Sequence, residues 1–392
     1  MSAGLRRGLT DLACRALLAA LPPALKSWGW AVRCEAASIP DDSRALLFAL
    51  HSLCGLMPRA IALQLFRPFA ALCGRADPLS ERSTAMLLLG AAMHRPRALG
   101  MGCAIGAVAL GLYYLAIAGA PMRYIGINAG ALVIGLAMLG LFGRAVTARH
   151  PWAGGAIFAM AVALLATALF GSPVGGAARW VSVGGFAIQP SLILLPVMLL
   201  IFGQTRGSWA TAGIVVAAAA MALQPDRAMA AMLASCLAVL MVTRRDRHSI
   251  IASVASVISL AATFLRIDTL PAVPYVDRIL YSSFEIHMAA GLAVSGGLVL
   301  LLIPAIAGVR RDPEYRATYA VFAAIWFVAI MAAGLGNYPT PVVGYGGSAI
   351  IGYLLSLLAL PGRADVTAPA HSRTGSATDD LSSDGQLRLA LA

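Results

Sequence analysis

The chain has 392 residues, of which 60% are hydrophobic and only 12% charged, and its mean hydropathy is +0.82. Soluble domains are about 45–50% apolar and about 25% charged, so a soluble enzyme of this length would lack the polar surface to cover itself. The same composition excludes disorder over most of the length and points to a polytopic, inner-membrane type of protein.

The net charge is +12, from 29 Lys+Arg against 17 Asp+Glu, and Lys26 is the single lysine. The arginines stand between apolar runs rather than in a stripe interleaved with aromatics. They read as topology-setting charges beside anionic membrane lipids, and no nucleic-acid partner is expected. Cys14, Cys34, Cys54, Cys73, Cys103 and Cys236 form no CxxC pair and no Cys/His cluster with ligand spacing. Neither a structural zinc nor a disulfide is expected from them.

In chain order, residues 1–98 read as a cytoplasmic, amphipathic N-terminal extension. Leu12–Leu21 and Ser43–Leu56 carry helical apolar spacing, with Asp41-Asp42-Ser43 as a helix start. Arg6, Arg7, Asp11 and Arg15 interrupt any signal-peptide core, so helices lying on the cytoplasmic leaflet are the favoured reading. A hairpin near 44–73 is the alternative, and it would bury Arg59 and Arg67.

A membrane span needs roughly 20 apolar residues. Ten such runs follow: 101–119, 124–142, 152–170, 187–202, 208–223, 228–242, 249–265, 288–308, 317–335 and 343–360. They define an all-α polytopic membrane domain over 99–361. With residue 1 inside, the inner loops carry Arg144, Arg149, Arg206, Arg244, Arg245, Arg247, Arg310, Arg311 and Arg316, whereas the longer outer loops carry Arg123, Arg179, Arg227, Arg266 and Arg278. This bias places both termini in the cytoplasm. Residues 362–392, rich in Ser, Thr, Asp and Gly, read as a disordered cytoplasmic tail.

None of the ten runs contains Asp, Glu, Lys or Arg, which argues against an ion-coupled transporter and places any chemistry at a membrane face. The outer face offers Asp226, Asp268, Asp277, Glu285 and His287. Asp226 opens a run, where an acid caps the helix; Asp268 reads as a solvated loop residue. Two polar stretches stand out: Gly171–Ser191, glycine-rich with Arg179-Trp180, and Gly334–Ser348, with Pro339, Pro341 and Gly346-Gly347. Composition alone favours two re-entrant turns that pack the bundle.

The two stretches together resemble the SEDS (shape, elongation, division, sporulation) family of FtsW/RodA/SpoVE-type peptidoglycan glycosyltransferases. The likeness rests on Gly176-Ala177-Ala178-Arg179-Trp180, Gly184-Gly185 and Gln189-Pro190-Ser191. It continues through Gln224-Pro225-Asp226 and the run from Pro339 to Ser348, which holds Tyr345-Gly346-Gly347-Ser348. Val276-Asp277-Arg278-Ile279-Leu280, with Glu285 eight residues after Asp277, is similar to the family's catalytic loop. The chain departs from the family at Leu192 and Leu195, where members carry a glutamate and a lysine, and in a shorter loop between the seventh and eighth runs.

The resemblance implies a ten-span SEDS-like bundle that polymerises lipid II on the outer leaflet, in cell-wall synthesis serving division or shape. It implies Asp277 as base with Glu285 in support. Arg179, Trp180, Gln189, Ser191, Arg278, Tyr345, Gly346, Gly347 and Ser348 would contact substrate, with room for a divalent cation such as Mg2+. Implied partners are lipid II, membrane lipids and a class B penicillin-binding transpeptidase. A non-catalytic scaffold for cell-wall enzymes and a lipid-linked sugar flippase are the alternatives; the departures favour the scaffold, and the charge-free runs offer a flippase no polar path.

Overall fold

The structure is a computed structural model that describes residues 3–21, 26–53, 56, 95–143, 152–174, 177–184, 186–205, 207–266 and 271–361. The expected tail at 362–392 and the Arg59/Arg67 region lie outside the described residues.

Three helices open the chain: α1 (Ala3–Ala20), α2 (Lys26–Ser38) and α3 (residues 42–53). The Asp41 carboxylate accepts the backbone N–H groups of Ser43 at 2.7 Å and Arg44 at 3.3 Å, starting α3 where the sequence places it. Ala13, Cys14, Ala36 and Ala49 pack together, and Leu17 and Leu21 pack against Val32 and Leu53. Arg7–Asp42 and Arg33–Asp11 pairs tie the helices at the surface. Helix α2 is not among the expected elements, because its buried residues, Gly29 and Ala36, are small while the large Trp28 and Trp30 beside Gly29 face outward, which masks the apolar stripe.

Ten apolar helices follow among the described residues: α4 (Pro96–Ile117), α5 (Met122–Phe142), α6 (Ala153–Phe170), α7 (Pro190–Gln204), α8 (Ser208–Leu223), α9 (Arg227–Thr243), α10 (Arg247–Phe264), α12 (Met288–Arg311), α13 (Arg316–Leu335) and α14 (Gly347–Ser356). A short helix, α11 (Ile279–Ile286), precedes α12. Each matches one of the ten expected runs to within a few residues. Six are long and apolar enough to cross a membrane, whereas α7, α8, α9 and α14 are shorter apolar helices of 10–17 residues. At about 1.5 Å per residue these four are too short to span about 30 Å of hydrocarbon unaided. The chain is an all-α polytopic integral membrane protein.

Packing is close where glycine lets backbones approach, as in other membrane bundles. A Cβ on Gly352 of α14 would lie 2.0 Å from the Leu192 carbonyl of α7. One on Gly213 of α8 would lie 3.0 Å from the Phe158 backbone of α6. Trp326, Phe322 and Tyr353 fill the centre of the bundle. Outward-facing Val133, Val257, Leu292, Val299 and Phe327 stay exposed, the apolar surface a bilayer would cover.

At one end, arginines satisfy helix C-terminal carbonyls. Arg97 donates to the carbonyls of Gly143, Leu358 and Leu360, and Arg244 donates to that of Gly203. Gln204 donates to the Ala359 carbonyl at the same end. The opposite end gathers the connections after α4, α6, α8, α10 and α13, and with them both polar stretches.

Candidate functional site

Between α6 and α7 the chain forms a small antiparallel meander, β1 (Ser172–Val174), β2 (Ala177–Val183) and β3 (Phe186–Ile188), in the order β1-β2-β3. Ser172 pairs with Trp180, and Val181 pairs with Ile188. Gly184 holds φ of +57° just after β2, a turn conformation that glycine adopts without cost. The simple re-entrant turn expected for Gly171–Ser191 is corrected here: among its described residues the three strands pair, which satisfies N–H and C=O groups along the ladder at the end of the bundle.

The meander delivers two buried polar side chains. Arg179, 4% exposed, donates from Nε to the Gln224 carbonyl at 3.3 Å and from Nη2 to the Pro225 carbonyl at 2.6 Å. Its guanidinium lies 6.0 Å from the centroid of the Tyr338 ring. Gln189 stands just before α7: its N–H donates to Ser348 Oγ at 2.9 Å, and its Nε2 donates to Ser191 Oγ and Asp226 Oδ2, each at 3.2 Å. Asp226, 1% exposed, also accepts the Met229 N–H as the cap of α9. One hydrogen-bonded group therefore joins the Gln-Pro-Ser, Gln-Pro-Asp and Gly-Gly-Ser motifs, which are far apart in sequence. A cavity of about 10 Å3 lies between Gln189, Leu192, Asp226, Met229, Tyr338 and Pro339, room for about one water.

The second polar stretch pairs with the catalytic-loop candidate. Asp277 forms an isolated antiparallel bridge with Pro339. Thr340 N–H donates to the Val276 carbonyl at 2.9 Å, and Tyr345 N–H donates to the Tyr275 carbonyl at 2.8 Å. Tyr275, Arg278 and Val342 hold φ of 65°, 56° and 67° at this seam. The left-handed region is costly for such residues, and here it is kept by the surrounding pairing.

Asp277 is 9% exposed, and its Oδ2 accepts the Val273 N–H at 2.8 Å. Burial pushes its carboxyl above the ordinary carboxylate range, while the Val273 bond and the Arg278 charge pull it back. Arg278 is exposed at the start of α11. Glu285 is exposed near the far end of that helix, roughly 10 Å along at 1.5 Å per residue, and the fold does not bring it beside Asp277.

Tyr345 stacks on Tyr124 with ring centroids 3.8 Å apart, and Tyr275 meets Tyr124 edge-on at 6.1 Å. The exposed Arg123 lies 5.4 Å above the Tyr124 ring. Gly346 and Gly347 lead into α14, where a Cβ on Gly347 would touch Ala131 of α5 at 3.0 Å. The fold thus assembles two adjacent groups, one around Arg179, Gln189, Ser191, Asp226 and Ser348 and one around Asp277 and Tyr345, joined through Tyr338-Pro339. Trp180 sits half-buried on β2. Sequence reasoning read Arg123 only as an outer-loop charge and did not single out Tyr124 or the buried Asn128, whose partners arrive from remote parts of the chain. Among the described residues no three His, Cys, Asp or Glu side chains gather where they could hold a metal ion, so the residues present do not form a cation cage.

No family model matches the chain, and no curated protein matches it. Among solved structures it is similar to the crystal structure of the rod shape determining protein RodA from Thermus thermophilus. The sequence identity is 20% and the TM-score 0.49, over 65% of this chain and 92% of that one. A point mutant of the same protein gives 21% identity and a TM-score of 0.48, over 65% and 93%. Neither similarity identifies an activity for this chain.

Proposed function

We propose that this chain is an inverting glycosyltransferase of the peptidoglycan-polymerase kind, resident in a bacterial inner membrane with both termini cytoplasmic. It would join lipid II units at the outer face. The observation that carries this reading is the placement of Asp277: a buried carboxyl with a raised pKa, in backbone register with the Pro339–Ser348 stretch that the motif likeness singles out.

In this reaction an acceptor hydroxyl attacks the anomeric carbon of a sugar linked to a polyprenyl pyrophosphate. The hydroxyl proton passes to the Asp277 carboxylate, the new glycosidic bond forms, and the pyrophosphate departs with the bonding electrons. A base is most effective when its pKa approaches the working pH, the direction in which burial moves Asp277. The leaving anion needs fixed positive charge. The exposed Arg278 supplies it, while Arg179 spends its guanidinium on the carbonyls of Gln224 and Pro225 and acts as a strut for the α8–α9 turn.

A second reading has one observation in its favour. Leu192 and Leu195, at the positions of the family's charged pair, are buried at 6% and 0% exposure. A buried apolar pair is stable without partners and removes the ions from the site, which suits a scaffold for a class B transpeptidase.

Purified full-length protein supplied with lipid II distinguishes the two. The wild type is expected to make glycan strands, and Asp277→Asn to make none while folding normally. No polymer from the wild type, where a control polymerase works, would overturn the enzyme reading and leave the scaffold.

A further inference from the structure

Asn128 lies inside α5, within a charge-free apolar run, and is 1% exposed. A carboxamide buried there is costly unless both of its ends are hydrogen-bonded. Both bonds go to one loop. Asn128 Nδ2 donates to the Gly344 carbonyl at 2.9 Å, and Oδ1 accepts the Gly346 N–H at 3.1 Å. The opposite orientation of the amide would set N–H against N–H and C=O against C=O, so the loop fixes which way the side chain points.

The residue between those two contacts is Tyr345, whose N–H donates to the Tyr275 carbonyl, and Thr340 N–H donates to the Val276 carbonyl beside it. A continuous set of bonds therefore runs from a helix of the bundle through residues 344–346 to the segment ending at Asp277. We infer that Asn128 is a positioning residue: it clamps the 344–346 loop from within the bundle and so holds the 273–277 segment, and with it the Asp277 carboxylate, in register. The clamp itself is a statement about structure; its effect on chemistry rests on the glycosyltransferase reading.

Hydrogen–deuterium exchange on the detergent-solubilised full chain tests the clamp without reference to activity. Asn128→Leu keeps the branched shape of the side chain and removes both bonds. Exchange of peptides covering 273–278 and 339–346 is expected to rise about tenfold or more, the value of one hydrogen bond of ordinary strength, while α10 exchanges as in the wild type. Unchanged exchange in both windows would overturn the inference. If the leucine unfolds the whole bundle, Asn128→Ala, which removes both bonds without adding bulk, is judged by the same two windows.

In the polymerisation assay, Asn128→Leu is expected to lower kcat at least tenfold with KM for lipid II changed less than twofold. A change in KM alone would mean that the loop binds substrate rather than aligning the base. A wild type that makes no polymer would sink the glycosyltransferase reading, and the exchange experiment would still decide the clamp.

Discussion

At the scale of single residues, Asp277 is set by three opposing influences. Burial disfavours its charge, while the Val273 N–H and the nearby Arg278 favour it, and the balance lies above the ordinary range. In the unfolded chain an aspartate titrates near 3.9. Because the folded value is higher, the stability linked to this group is fully present below the unfolded value and lost as pH rises through the folded one. At pH 7 the ionised carboxylate therefore costs stability. Asp277→Asn, whose side-chain oxygen can still accept the Val273 N–H, is expected to melt at the same temperature as the wild type or higher at pH 7, with any gain vanishing below about pH 4. Thermal unfolding in detergent at the two pH values checks this. A lower melting temperature at pH 7 would show that the charge is needed for the fold, and would remove loss of activity in this variant as a sign of catalysis. The same shift should appear in the rate, whose acidic limb is expected at a higher pH than that of a solvent-exposed aspartate.

Among elements, the connection from Pro339 to Gly346 decides how the loop end is built. Its Val343, fully buried, enters a slot between α4 and α12 that exists because Gly111 and Gly297 have no side chains. A Cβ on Gly111 would lie 2.5 Å from the Val343 carbonyl oxygen, and one on Gly297 would lie 2.4 Å from Val343 Cγ1. The Gly297 contact is with a side chain, so it can be relieved. Gly297→Ala is expected to destabilise by about 1–3 kcal/mol through overpacking, and Val343→Ala in the same chain to recover most of that loss. Thermal melts of the two single variants and the double variant measure the coupling; simple additivity would show that Val343 does not occupy the slot. The ten apolar helices were legible in the sequence because an apolar run long enough to leave water has few alternatives to a helix. The meander was not, because two of its strands have only three residues, too short to show alternation, and the seven-residue β2 mixes polar and apolar residues on both faces. Asn128 was also silent: a lone amide in an apolar run does not announce partners 216 and 218 residues away. The motifs around Gln189, Asp226 and Ser348 were visible as separate stretches, and only the fold brings them within one hydrogen-bonded group.

Across the whole molecule, the two ends of the bundle differ in chemistry. At one end Arg97 and Arg244 lie over helix C-termini, where the backbone presents unpaired carbonyls. A guanidinium there answers both the helix dipole and the anionic lipid of a cytoplasmic leaflet. At the other end the polar groups are paired inward among the connections, with Arg179 and Arg227 donating to backbone carbonyls of neighbouring turns. With residues 1–98 read as a cytoplasmic extension, the N-terminal helices and their exposed Cys34 are expected on the side of the arginine-capped end, where α4 begins. This orientation is open to a direct test in cells. In a chain whose other cysteines are replaced, Cys34 is expected to resist a membrane-impermeant maleimide until the membrane is permeabilised. A cysteine introduced at the exposed Phe186, on the meander, is expected to react from outside in intact cells. The reverse pattern would turn the bundle over. It would place Asp277 at the cytoplasmic face, where lipid-linked precursors are built rather than polymerised, and the proposed reaction would have to be abandoned even if the fold were right in every other respect.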